Sequence, residues 1–114
     1  MVIRRGDIWW AELDSPIGSE PGFRRPVLIV QTDWANAGAI QTVLVAMLTS
    51  NLRFAIAPGN VLVQARDSGL PKPSVINVSQ LAAINKNHLT EHVKRLPSAV
   101  LRQVDEGLRL MLDL

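Results

Sequence analysis

Over its first 85 residues the chain runs as short apolar stretches, each broken within a few residues by Gly, Pro, Asn or Asp. No helix of ordinary length fits between such breaks, so the pattern demands strands joined by turns. It predicts strands near 6–13, 26–33, 42–48, 60–64, 74–79 and 80–85. Val27 to Val30 and Val43 to Met47 are nearly continuous apolar runs, which suit strands buried on both faces. Ile8, Trp10 and Glu12 alternate with Trp9, Ala11 and Leu13, so the two tryptophans should point to opposite faces of one strand. Trp34 stands in a polar stretch and is expected to be exposed. Three segments rich in turn residues, 14–23, 51–59 and 66–73, read as loops that rim one face of a small barrel.

The tail obeys a different period. From Pro97 onward Val100, Leu101, Val104, Leu108, Met111 and Leu112 recur at helical spacing, with charged residues between them. Pro97 suits a first helical turn. Gly107 costs about 1 kcal/mol against Ala inside a helix, which predicts close packing there. The sum is one domain, 1–114, mainly β: a small β-barrel with a C-terminal amphipathic helix.

With 114 residues and 47% hydrophobic composition, the chain can build one small core of modest stability, which a dimer would reinforce. Cysteine is absent, which excludes disulfides and thiolate metal sites. There is no apolar run of about 18 residues and no signal-peptide pattern, so a soluble cytoplasmic protein is expected, away from membranes. Net charge is +2, and nine of the twelve cations are arginine. Arginine forks onto phosphates and stacks on bases, a composition that suits nucleic acid but also ordinary solvation.

Arg24 and Arg25 stand where the first loop enters the second strand. One of two strand neighbours faces the core side, and an arginine held there needs a partner. That partner is either an internal carboxylate (Asp14, Glu20 or Asp33) or a ligand phosphate. Thr49, Ser50 and Asn51 follow a buried strand; they suit either a phosphate or a turn. Asn77, Ser79 and Gln80 put polar groups into an apolar strand pair. Alternation sets Asn77 and Ser79 on one face, suited to reading base edges or to meeting solvent. His88 and His92 are four apart, but no cysteine or third clustered ligand supports them, so no metal site is expected.

The blocks RGDIWWAELD, GSEPGFRRPVLIVQTD, VLVAMLTSN, PGNV, SGLPKPSVINVSQL and EGLRLMLDL resemble, in order and over essentially the whole chain, the MazF/PemK-type toxins of type II toxin–antitoxin systems. The likeness is strongest to the mycobacterial and actinobacterial branch. It implies an SH3-like small β-barrel of the CcdB/PemK kind with a C-terminal helix, assembled as a homodimer. It further implies an mRNA interferase: a sequence-specific endoribonuclease that cuts single-stranded RNA without a metal or other cofactor. Attack by the ribose 2′-OH would leave a 2′,3′-cyclic phosphate and a 5′-OH. A cognate MazE-like antitoxin would hold it inactive.

Carried over by motif, the arginine before Pro26 is Arg25, which would stabilise phosphorane charge and donate a proton to the leaving oxygen. A guanidinium holds its protons too tightly to carry them, so the implied catalysis rests on electrostatics and orientation. The threonine of LTS is Thr49, placed to hydrogen-bond the phosphate or the attacking hydroxyl. Arg24, Ser50, Glu20 and Arg53 take RNA-binding roles. Some relatives carry an arginine and an acid where this chain has Asn77 and Ser79, so these two, with Gln80, are assigned RNA contacts instead. The alternatives are a gyrase poison of the same fold and a catalytically inactive nucleic-acid-binding member. The first relies on a C-terminal Trp-Gly-Ile, whereas this chain ends Met111-Leu112-Asp113-Leu114.

Overall fold

Trp9 and Trp10 do take opposite faces of their strand, and each belongs to a different apolar cluster. The computed structural model describes residues 1–13 and 24–114. Among these, six strands form one antiparallel sheet: β1 (Asp7–Glu12), β2 (Arg24–Ile29), β3 (Thr42–Thr49), β4 (Val61–Val63), β5 (Ser74–Asn85) and β6 (Leu89–Arg95). Their spatial order is β4-β5-β3-β2-β1-β6. The helices are α1 (Asp33–Asn36), α2 (Ala65–Ser68) and α3 (Ser98–Leu112), with 3-10 turns at Leu52–Ile56 and Lys86–His88. None is long and apolar enough to cross a membrane.

Because β2 and β3 lie centrally, their side chains are buried on both faces, as the continuous apolar runs require. One face carries Ile8, Leu28, Leu48 and Ile76 and is covered by Val104 and Leu108 of α3. The other carries Trp9, Ala11, Val27, Val45 and Met47. The sheet curls into a half-barrel. Its edges β4 and β6 approach through α2, which follows β4 in the chain yet accepts, at Arg66 O, a hydrogen bond from Lys94 Nζ of β6.

The close packing expected at Gly107 is real. A Cβ there would lie 2.1 Å from Gly59 O, so α3 and the turn before β4 touch backbone to backbone. Trp34, in α1, is 85% exposed.

Two expectations fail. The strands predicted at 74–79 and 80–85 are one strand, β5, interrupted where Met47 pairs with Asn77 but Ala46 pairs with Leu81. Residues 78–80 form the resulting bulge, held by Val78 N–H donating to Asn60 Oδ1 at 3.0 Å. The sixth strand is instead β6, whose LTEHVKR sequence has only two aliphatic residues because it is a largely exposed edge. The remaining strands shift by a few residues at their ends, β2 most: it starts at Arg24 and stops at Ile29. The loop expected over 14–23, with its candidate Glu20, lies outside the described residues.

Candidate active site

The antiparallel pairing of Val27 with Met47 brings the start of β2 and the end of β3 to the same edge of the barrel. Carrying that register on by one repeat sets Arg25 beside Thr49 on one face. A cavity of about 270 Å3 opens there, lined by Trp10, Arg25, Pro26, Leu48, Thr49, Ser50, Leu70, Pro71, Lys72 and Ser74.

Arg25 is only 5% exposed. Its Nη2 donates to Leu48 O at 2.8 Å, which fixes the plane of the guanidinium in the cavity wall. A charge so buried is costly unless paired, and the backbone carbonyl supplies part of its solvation. Thr49 is also buried. Its Oγ1 accepts a hydrogen bond from Asn51 N–H at 3.0 Å, so its hydroxyl proton remains available to a ligand oxygen. Asn51 Oδ1 in turn accepts from Arg53 N–H at 3.2 Å and heads the 3-10 turn. The Thr49–Ser50–Asn51 group thus makes a turn and still presents Thr49 and Ser50 to the cavity. Among the described residues no carboxylate or imidazole lines it.

Arg24 does not line the cavity. Its guanidinium lies 4.2 Å from the centroid of the Trp10 ring and pairs with Glu12 and Glu91 at 3.4 and 3.3 Å. The two neighbours thus divide: Arg25 enters the cavity, and Arg24 covers the ring that forms one wall. Glu91 belongs to the unforeseen strand β6; of the acids weighed from the sequence as internal partners, Asp14 and Glu20 lie outside the described residues.

Arg53 is exposed on the 3-10 turn and lies off the cavity lining. Asn77, Ser79 and Gln80 are also absent from that lining. Asn77 is buried and Ser79 exposed; Asn77 Oδ1 accepts from both the N–H and the Oγ–H of Ser79, at 3.1 and 2.5 Å. The bulge breaks the alternation that would have set them side by side. His88 and His92 occupy a 3-10 turn and a strand, so their spacing does not make a helical pair. His92 Nε2 lies 3.1 Å from Asp7 Oδ2.

Sequence reasoning missed the wall formed by Leu70, Pro71, Lys72 and Ser74. The lysine between two prolines in the third loop was its visible signal. A larger groove of about 430 Å3 lies elsewhere, lined by Leu44, Leu81, Leu108, Leu112 and other residues. It is mostly aliphatic and among the described residues lacks a hydroxyl cluster, so the smaller cavity is the candidate site.

Comparison with known proteins bears on the family and the fold. The family model described as PemK-like, MazF-like toxin of type II toxin-antitoxin system matches residues 4–112. The chain is similar to endoribonuclease MazF6 of Mycobacterium tuberculosis, with 46% identity over 114 residues covering all of both chains. It is 36% identical to endoribonuclease EndoA of Bacillus subtilis, covering all of this chain and 97% of that one. Its fold is similar to that of an endoribonuclease solved in complex with its cognate antitoxin from a mycobacterial species. The TM-score is 0.80 at 20% identity, covering 98% of this chain and 96% of that chain.

Proposed function

The chain belongs to the PemK-like, MazF-like toxins of type II toxin–antitoxin systems, and from that premise we propose a sequence-specific, metal-independent endoribonuclease acting on single-stranded RNA at the Arg25–Thr49 cavity. The endoribonuclease activity itself follows from relatives of that name, similar along their whole length. One observation carries the proposal of site and chemistry: a buried, oriented guanidinium beside a hydroxyl with a proton to donate, in a cavity without a lining carboxylate among the described residues.

A backbone phosphate seated there meets positive charge and O–H and N–H donors. The ribose 2′-oxygen attacks the adjacent phosphorus, the P–O5′ bond breaks, and negative charge builds on the non-bridging oxygens. Arg25 and Thr49 are aimed at that charge in a partly dehydrated pocket, where preformed donors act most strongly. The 2′-proton leaves, the 5′-oxygen gains one, and the products are a 2′,3′-cyclic phosphate and a 5′-OH. No water is consumed, so the cavity needs no activated water. Bases flanking the phosphate meet Trp10 and the surrounding loops, which set the cut sequence.

By similarity to an endoribonuclease solved with its cognate antitoxin, the chain is held inactive by an antitoxin of its own. A cationic cavity selects an acidic segment that orders on binding and excludes RNA. The functional unit is a homodimer.

The test is cleavage of mixed-sequence single-stranded RNA in EDTA, with both new ends mapped. Discrete cuts ending in cyclic phosphate are expected. Arg25→Ala should lose about 10²–10³-fold in kcat, the scale of one transition-state donor, and Thr49→Val about 10–100-fold, both without unfolding. A fully active Arg25→Ala variant would overturn the assignment of the site.

A further inference from the structure

Lys72 stands on the cavity wall formed by residues 70–74, and its position is prepared from both sides. Upstream, Gly69 takes the left-handed φ of +78° that ends α2, and the buried Leu70 donates its N–H to Ser68 Oγ at 3.0 Å. Downstream, the buried Ser74 opens β5 opposite Val63, and its Oγ donates to Lys72 O at 3.2 Å. Pro71 and Pro73 fix φ on either side of the lysine. The backbone is therefore held, and the exposed side chain supplies the reach.

The chain has three lysines, and two have their ammonium groups tied to backbone carbonyls. Lys86 Nζ donates to Asn36 O at 3.0 Å, and Lys94 Nζ donates to Arg66 O. Among the described residues Lys72 Nζ has neither an ion pair nor a hydrogen bond, although it shares a cavity with the buried cation Arg25. Both side chains line the same cavity, so a ligand anion seated in it can meet both.

We infer that Lys72 is a substrate-binding residue of the cavity, contacting a non-bridging oxygen of the RNA phosphate that Arg25 and Thr49 hold. The inference rests on the ribonuclease reading of the site. A flexible ammonium is a point charge, suited to drawing the phosphate in and holding it rather than to the fixed fork geometry that Arg25 supplies. Its contribution belongs to binding, and it should appear in KM.

The experiment compares wild type, Lys72→Met and Lys72→Arg by steady-state cleavage. It also measures salt-dependent binding of a fully 2′-O-methylated RNA of the mapped cut sequence, which lacks the nucleophile. Lys72→Met should raise KM about tenfold with kcat changed less than about threefold. It should lower the slope of log K against log salt by about 0.7, the value of one phosphate contact on a single strand. Lys72→Arg should keep the wild-type slope, and thermal midpoints should match because among the described residues the Lys72 ammonium holds nothing else. Unchanged KM and salt slope in Lys72→Met would overturn the contact. So would a kcat lost equally in Lys72→Met and Lys72→Arg, which would point to proton transfer by the amine. A wild type that binds but never cuts would remove the ribonuclease reading, and the salt slope on the methylated RNA would still decide whether Lys72 meets phosphate.

Discussion

Arg24 and Arg25 show how one residue of register separates a cavity's outer wall from the reacting centre proposed within it. Both are arginines at a strand start, and the pair was visible in the sequence. Which one enters the cavity was not, because a strand's two faces are equivalent until the sheet packs against something. Asp33 shows the same contrast away from the site. It was weighed as a partner for an arginine side chain, yet its Oδ1 accepts the backbone N–H of Arg5 at 2.6 Å. That bond holds its carboxyl below the usual carboxylate range, helped by Asn36 and the charges of Arg95 and Arg4 and opposed by burial. A carboxyl lowered on folding stabilises the native state fully above its unfolded pKa, and that stability is lost as pH falls through the folded value. For so exposed a group the contribution is at most about 1 kcal/mol after solvent screening. Asp33→Asn keeps an acceptor but cannot titrate. Urea unfolding at pH 7 and pH 3 should therefore show a smaller acid loss in the variant than in wild type. Equal losses would remove this bond from the acid response.

At the scale of elements, what was legible is what carries strong periodicity. The buried β2 and β3 and the helix α3 announce themselves because burial forces apolar residues into fixed spacings. β6 does not, since an edge strand facing water can be written in Thr, Glu, His and Lys. The bulge in β5 is equally silent: its cause is Asn60, a residue of a distant turn that captures Val78 N–H. Gly107 was legible because glycine inside an amphipathic helix is unfavourable without a reason. The reason is the Gly59 carbonyl, 2.1 Å from where a Cβ would lie. Gly107→Ala gains up to about 1 kcal/mol in helix propensity. A rigid backbone oxygen at that distance forces α3 away from the turn, and overpacking of this kind costs about 1–3 kcal/mol. Gly59 also holds a φ of +87°, so the turn has little freedom to yield. The net expectation is destabilisation, read as a lower urea midpoint with an unchanged m-value. A stabilised Gly107→Ala protein would show that the contact relaxes freely.

The whole molecule leaves apolar surface where a small monomer can least afford it. Leu44, Met111, Leu112 and Leu114 are exposed, and three of these four line or adjoin the aliphatic groove of about 430 Å3. The same groove is bordered by Arg5 and Asp105, whose 2.7 Å ion pair joins the N-terminal segment to α3. A 114-residue chain buries a modest fraction of its surface, and exposed aliphatic patches of this kind mark contact surfaces. The homodimer proposed for function would gain stability by burying the tail of α3 against a second copy, adding core that one copy lacks. If that holds, the thermal midpoint should rise with protein concentration, because a ligand that binds only the folded state stabilises it, and here the ligand is the chain itself. Leu112→Asp should sediment as a monomer, with a midpoint that is lower and independent of concentration. Its Arg25–Thr49 cavity lies apart from the substituted position, since the two sets of lining residues have no member in common. A wild-type chain that sediments as a monomer at tens of micromolar, with a midpoint indifferent to dilution, would refute self-association as the reason for this patch.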